Sequence, residues 1–302
     1  MKRTVDVEVE GRRLSLSNLE KVLYPEVGFT KGHVIDYYTR VAPVLLGHVR
    51  GRPLTLKRYP NGVEGKHFYE KECPSHRPAW VPTEAVWSRR NGRHVNYCLV
   101  EELATLVWLA NLADLELHTS LSMAADIARP TMLVFDLDPG APAAILECAR
   151  VGLWLRAIFE QLGLESFPKT SGSKGLQVYV PLNTPVGYED TKPFARAVAE
   201  LIEREHSELV VSSMKKELRA GKVLIDWSQN DEHKTTVCVY SLRARERPTV
   251  STPVTWDEVE GALEAADPDR LSFTSDEALE RATERGDLFA PLLALEQELP
   301  RL

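Results

Sequence analysis

MLVFDLDPG, residues 132–140, is an apolar run that carries two aspartates and is stopped by Pro139 and Gly140. Its length and its Val and Phe content predict a buried strand. Side chains alternate along a strand, so Asp136 and Asp138 project from one face while Leu137 enters the core. Two neighbouring carboxylates repel at neutral pH, and the pair is stable chiefly with a cation between them or with one acid protonated. A third acid, Asp226, stands in VLIDWSQN, a second apolar strand with little other reason to hold a charge. If the two strands are neighbours, three carboxylates converge in the arrangement that two-metal phosphoryl transfer requires. Oxygen ligands of this kind suit Mg2+ or Mn2+ better than zinc. Taken alone, an Asp-x-Asp pair also occurs as a helix cap or a loop-facing pair.

Between these strands lies TSGSKG, residues 170–175, a turn rich in hydroxyls and glycine with one lysine. Successive backbone N–H groups in such a turn can form an anion nest, and Lys174 adds positive charge, so phosphate is the natural occupant. It is not a Walker A loop, because GxxxxGK[ST] is absent and the turn leads into a strand. An ordinary hairpin is the alternative.

Outward from this centre, strands and helices alternate. Toward the C-terminus the pattern predicts a helix over 142–162, a strand near SFPK, the strand LQVYVPL, a helix over 189–206 and the strand VLIDW. Toward the N-terminus, VDVEVEGRRLSLS predicts a hairpin turning at Gly11. Ser17 is expected to cap a short helix NLEKVLYP that Pro25 ends. Thr30 is expected to cap KGHVIDYYTRVAPVLLGHV, with Pro43 kinking or interrupting it. PLTLKRYP, HVNYCLV and LELHTS predict strands, and EELATLVWLANL an amphipathic helix. The expected class is α/β, in two subdomains sharing a cleft, followed by an acidic helical tail.

The chain carries a net charge of −7, which by itself argues against a nucleic-acid partner. Residues 1–100, however, hold 17 Lys and Arg against 10 Asp and Glu, whereas residues 253–302 hold 4 against 13. That asymmetry is compatible with a basic binding face and a solvated acidic helical tail. No stretch is apolar enough for a membrane span or a signal peptide, and a cytoplasmic address is expected. Cys73, Cys98, Cys148 and Cys238 stand far apart without a CxxC pair, so reduced, mostly buried thiols are expected.

Taken together, VFDLDPG, TSGSKGLQVYVPL and VLIDWSQN followed by YSLRARERPTVSTPVTW resemble the polymerase domain of bacterial ligase D, a branch of the archaeo-eukaryotic primase superfamily. LSNLEKVLYPEVGFTKGHVIDYY and HFYEKECPSHRPAW resemble its opening segments, so the similarity spans at least residues 14–256. The resemblance implies a primase-like (RRM-like) catalytic sheet with an interlocked N-terminal α/β subdomain. It makes 1–302 one primase-polymerase unit, divided near 1–112, 113–252 and 253–302.

It further implies that Asp136, Asp138 and Asp226 hold two Mn2+ or Mg2+ ions and that the substrate is a nucleoside triphosphate, with ribonucleotides preferred. Ser171 and Lys174 match positions that contact the triphosphate. His118, eighteen residues before Asp136, and Arg243 match residues at the nucleotide, and Lys57 and Arg58 are further cleft cations. Lys21 and Lys31 fall where the family holds a DNA 5′-phosphate, and Phe68 resembles an aromatic that stacks on template DNA. The implied partners are DNA ends, gapped or overhanging duplex with a 5′-phosphate, the end-binding Ku protein and a separate ligase, in a bacterial cytoplasm near the nucleoid. The chain departs from the family pattern at Gln177, where the motif SGxKGLH ordinarily has histidine. A neutral amide there predicts weaker triphosphate binding. HTSLSM after His118 also lacks the family's usual tryptophan and arginine.

Two other readings attach to the same residues. VFDLDPG resembles the nucleophile strand of haloacid dehalogenase phosphohydrolases, in which Asp136 would be phosphorylated. That strand usually lies near the N-terminus, whereas about 130 residues precede it here. Gln177 also admits a DNA-end binding module that keeps the fold without turnover.

Overall fold

The strand expected at the centre spans Met132–Pro139, and both of its neighbours run antiparallel to it. The computed structural model describes residues 4–88 and 92–300. The chain divides into two compact units. The first comprises Met1–Ser120, Val237–Val250 and Thr274–Gly286; the second comprises Leu121–Thr236, Ser251–Phe273 and Asp287–Leu302.

In the second unit, one five-stranded sheet runs in the spatial order Phe167–Thr170, Leu176–Pro181, Met132–Pro139, Val223–Asp226, Val210–Val211. Helix Ile145–Gln161 follows the central strand and helix Tyr188–Glu205 follows Leu176–Pro181. The chain order is β-α-β-β-α-β-β, with the first strand central between the third and the fifth; it contains the β-α-β-β-α-β order of the expected RRM-like sheet with one strand more. Leu133, Phe135 and Leu137 face the helices, as do Leu176, Val178 and Val180 from the next strand. They meet Cys148, Leu155 and Phe159 of one helix and Phe194, Val198 and Ile202 of the other, at the spacing of a helix face. Each of the larger side chains contributes about 1.5–3 kcal/mol by leaving water. Since period two turns alternate residues away from this core, the other face carries Asp136, Asp138, Gln177 and Asp226.

The first unit holds a second sheet, in which Thr83–Ser88, Arg93–Cys98, Leu54–Arg58 and Asp114–Thr119 lie in that order and Phe68–Glu70 also pairs with Leu54–Arg58. Helices Lys31–Val49, Leu103–Asn111 and Ser275–Arg285 belong to it. Thr30 caps the first of these, accepting from the His33 N–H, and the His33 ring accepts from the Thr30 N–H. Glu10 and Gly11 both take positive φ in the N-terminal hairpin, the requirement of a tight two-residue turn.

Three expectations are corrected. Residues 18–24 form no helix: Asn18 takes φ 54°, which cannot start one, Val22–Tyr24 pairs instead with Phe29–Thr30, and Pro25 opens a 3-10 turn instead of ending a helix. The helix Lys31–Val49 runs through Pro43 without a break, because Tyr38, Val41, Ala42, Leu45 and Val49 bury one continuous face that outweighs a single lost hydrogen bond. Cys73 and Cys98 form a disulfide. The chain after Phe68–Glu70 returns beside Arg93–Cys98, where Cys73 N–H donates to the Asn96 carbonyl, and this brings together two thiols that are 25 residues apart. Cys148 and Cys238 stand outside any disulfide and are buried, as expected. The acidic tail is helical only in part, over Trp256–Glu264 and Ser275–Arg285, with short 3-10 turns besides.

Candidate active site

One row of four residues crosses the polar face of the second unit's sheet. Lys169 pairs with Gln177, Gln177 with Asp136, and Asp136 with Asp226, each directly across neighbouring strands. Asp138 stands two residues along from Asp136 on the same face and is exposed. Directly opposed residues of an antiparallel pair have backbones about 4.5–5.5 Å apart, so the register places the expected carboxylates side by side. Burial pushes the Asp136 carboxyl up to about 6; Asp138 and Asp226 push the same way, while the Gln177 N–H and Lys169 oppose them.

The donor set therefore fits a hard divalent cation, whose charge would relieve the repulsion. Among the described residues, however, no three His, Cys, Asp or Glu side chains stand close enough to grip a metal as they lie. The Asp226 carboxylate is turned onto its own 3-10 turn, Trp227–Gln229. Its Oδ1 accepts from the Ser228 N–H at 3.0 Å and the Ser228 hydroxyl at 2.5 Å, and its Oδ2 from Gln229 at 2.8 Å. An ionised carboxylate has about four lone-pair directions, so these bonds leave acceptor capacity.

Gln177 is buried, and both ends of its amide are engaged. Nε2 donates to Asp136 Oδ1 at 3.0 Å, and Oε1 accepts from Lys169 Nζ at 2.6 Å. The amide expected at the triphosphate is thus directed at Asp136.

The TSGSKG turn closes on itself. The Ser171 N–H donates to the Gly175 carbonyl, and the Ser171 hydroxyl accepts from the N–H groups of Ser173 and Gly175 at 3.2 and 3.1 Å. Gly175 is required by space, since a Cβ there would lie 2.2 Å from the Leu137 carbonyl oxygen. That close approach locks the turn to the strand carrying the aspartates. Lys174 projects, exposed, from the turn.

In the first unit, Lys57, His118 and Arg243 gather around Glu116, which nothing in the sequence pattern singled out. Glu116 is 1% exposed. Both its oxygens lie 3.1 Å from Lys57 Nζ; Oε2 lies 3.0 Å from His118 Nε2 and 3.5 Å from Arg243 Nε. Oε1 also accepts from the Tyr59 hydroxyl and the Ala244 N–H. His118 and these cations hold the Glu116 carboxyl well below the usual range against the opposing effect of burial. One local signal was present in LELHT, because Glu116 and His118 are two apart on a strand and share a face.

Lys21 is exposed in a turn, where Nζ donates to the Pro60 carbonyl and Asn61 Oδ1. Lys31 begins its helix but is 5% exposed, donating to the Ser17 hydroxyl and to the carbonyl and side chain of Asn111. Phe68 is 43% exposed with the Arg58 guanidinium 5.2 Å from its ring centre, and Arg58 also pairs with Glu70 at 2.7 Å.

Known proteins share this architecture. A family model described as LigD, primase-polymerase domain, matches residues 30–289. The multifunctional non-homologous end joining protein LigD of Mycolicibacterium smegmatis is 43% identical over 282 residues, 93% of this chain and 36% of that protein. The bifunctional non-homologous end joining protein LigD of Bacillus subtilis is 31% identical over 289 residues, 95% of this chain and 45% of that protein. The solved polymerase domain from Mycobacterium tuberculosis ligase D in complex with DNA matches with a TM-score of 0.85 and 40% identity, covering 94% of this chain and 99% of that one. Fold and carboxylate row together define a nucleotidyltransferase of the primase-polymerase class. The chain belongs to the LigD primase-polymerase domain family. It spans about a third of the length of the mycobacterial relatives it matches. Antiparallel pairing on both sides of Met132–Pro139 also sets aside the phosphohydrolase reading, which needs a doubly wound parallel sheet.

Proposed function

We propose that this chain extends primer 3′ ends with nucleotides at DNA gaps or breaks, in end-joining repair, and that Asp136, Asp138 and Asp226 hold two Mn2+ or Mg2+ ions. The observation that carries this reading is the register setting Asp136 against Asp226, with Asp138 on the same face. Bound there, such ions stabilise charge on the attacking and leaving oxygens of an in-line displacement. Gln177 keeps the Asp136 carboxylate oriented. Ser228 and Gln229 do the same for Asp226. Ser171 and Lys174 contact the triphosphate, and His118, Arg243 and Lys57 contact the nucleotide. Lys21 and Lys31 bind the 5′-phosphate of the break, and the exposed ring of Phe68 stacks on template DNA. Ribonucleotides and Mn2+ are the preferred substrate and ion.

DNA ends, Ku and a separate ligase are the partners, and the setting is the bacterial cytoplasm at the nucleoid. Among the described residues no helix is long and apolar enough to cross a membrane. The test is primer extension on a gapped duplex with a downstream 5′-phosphate, comparing the parent with Asp136→Ala. Incorporation is expected to disappear while end binding is retained; extension by the substituted protein would refute the metal assignment.

A further inference from the structure

Glu116 holds together the three side chains proposed to contact the nucleotide, and it does so from a buried position that no substrate reaches. The donor count explains how it can do this without using them up. A lysine has three N–H donors and an arginine five, so each can hold Glu116 with one or two and present the others outward. Histidine has only two ring nitrogens. An ionised carboxylate accepts and never donates, so the 3.0 Å contact requires the proton on Nε2. Neutral His118 then has an acceptor at Nδ1, the wrong polarity for an anion.

We infer that Glu116 is a positioning residue of the nucleotide site, fixing His118 as the Nε2–H tautomer so that binding a nucleoside triphosphate draws one proton from solvent onto Nδ1. This rests on the proposal that His118, Lys57 and Arg243 meet the nucleotide. The groups facing His118 are Glu116 on its own strand, Lys57 on the adjacent strand, Arg243 from the segment 237–250, and the Tyr69 ring, 5.7 Å away edge-on. Burial pushes the ring below its ordinary range and Arg243 and Lys57 add to this, while Glu116 opposes them. Burial thus favours the neutral ring before the anion arrives. Affinity should be highest where the free ring is already protonated and should fall as pH rises, up to the higher value the ring acquires with the anion bound.

The experiment is calorimetric titration of GTP into the full chain without primer, in two buffers of different ionisation enthalpy, across the histidine range. Parent, His118→Gln, Glu116→Gln and Glu116→Asp are compared, with thermal melting of each. The parent is expected to take up more protons than His118→Gln, whose uptake reflects the phosphate alone. Glu116→Gln is expected to weaken GTP roughly tenfold to a hundredfold, as loss of an orienting partner does at other built sites, and to abolish the extra uptake; Glu116→Asp should restore part of both. If His118→Gln weakens GTP while Glu116→Gln matches the parent in affinity and uptake, the inference is wrong and the nucleotide assignment stands. If His118→Gln binds GTP as the parent does, the assignment itself fails. Should Glu116→Gln not fold, nitrogen-15 shifts of the parent decide: an Nδ1–H tautomer for His118, or uptake equal to that of His118→Gln, overturns the inference.

Discussion

Gln177 donates to Asp136 across neighbouring strands, and its amide has only one permissible orientation. Lys169, 1% exposed, can only donate, and it takes Oε1, so Nε2 must face the carboxylate. The amide expected at the triphosphate therefore donates to the acid beside it.

Replacing Gln177 by Glu keeps an acceptor for Lys169 but turns an oxygen toward Asp136. Primer-extension kcat is expected to fall about tenfold to a hundredfold with little change in Tm. From the sequence alone, Gln177→His is expected to tighten triphosphate binding. With the side chain placed between Lys169 and Asp136, a neutral imidazole accepts from one and donates to the other, so the change should appear in kcat and leave the nucleotide KM as it was. A lower KM with kcat unchanged would contradict this placement.

Asp114 is fully buried, with Oδ1 accepting from the Lys57 N–H at 2.8 Å. Burial pushes its carboxyl well above the ordinary range, Glu116 and Glu70 add to this, and the Lys57 N–H and Arg58 oppose it. The folded chain thus keeps a proton that the unfolded chain releases near pH 4. Stability from this group is complete below that pH and declines by about 1.4 kcal/mol per pH unit up to the folded value. Asp114→Asn should therefore raise Tm relative to the parent at pH 8 and lose that advantage at pH 4. An equal difference at both pH values would rule this out.

Lys21 and Lys31 should separate in their effects. Lys21→Ala removes an exposed cation and should reduce the preference for phosphorylated over hydroxyl ends without lowering Tm. Lys31→Met removes the same preference but also takes away the donor to the Ser17 hydroxyl and the Asn111 carbonyl, leaving Asn111 Oδ1 with the Ser17 N–H, so Tm should fall by an amount equivalent to about 1–3 kcal/mol. Equal use of both kinds of end by the parent would remove the 5′-phosphate role.

The Cys73–Cys98 disulfide closes a loop of 25 residues that carries Thr83–Ser88. Reduction, or Cys73→Ser with Cys98→Ser, is expected to lower stability by about 3 kcal/mol, read as an earlier denaturant midpoint. The variant should still extend primers under conditions where it stays folded, since neither cysteine is among the residues proposed to touch metal, nucleotide or DNA.

Much of this was legible without coordinates because it is local or periodic. The alternation in VFDLD is enough to put Asp136 and Asp138 on one face, and Thr30, Gly11 and the apolar spacing of the long helices mark their elements by chemistry that acts over a few residues. The short helix over residues 18–25 failed because Leu23 and Tyr24 are buried by tertiary packing, which overrides a capping signal at Ser17. The disulfide was missed because no pattern links Cys73 to Cys98 until two strands are laid side by side.

What the chain determined by itself is the identity of the acids, the strand that bears two of them, and the order of motifs that marks the family. Which side chains are partners was decided only in three dimensions: Asp226 opposite Asp136, Lys169 behind Gln177, and Glu116 among Lys57, His118 and Arg243. Period and propensity act along the chain, whereas register and burial depend on which strands pair, and those strands lie from one short turn to more than a hundred residues apart.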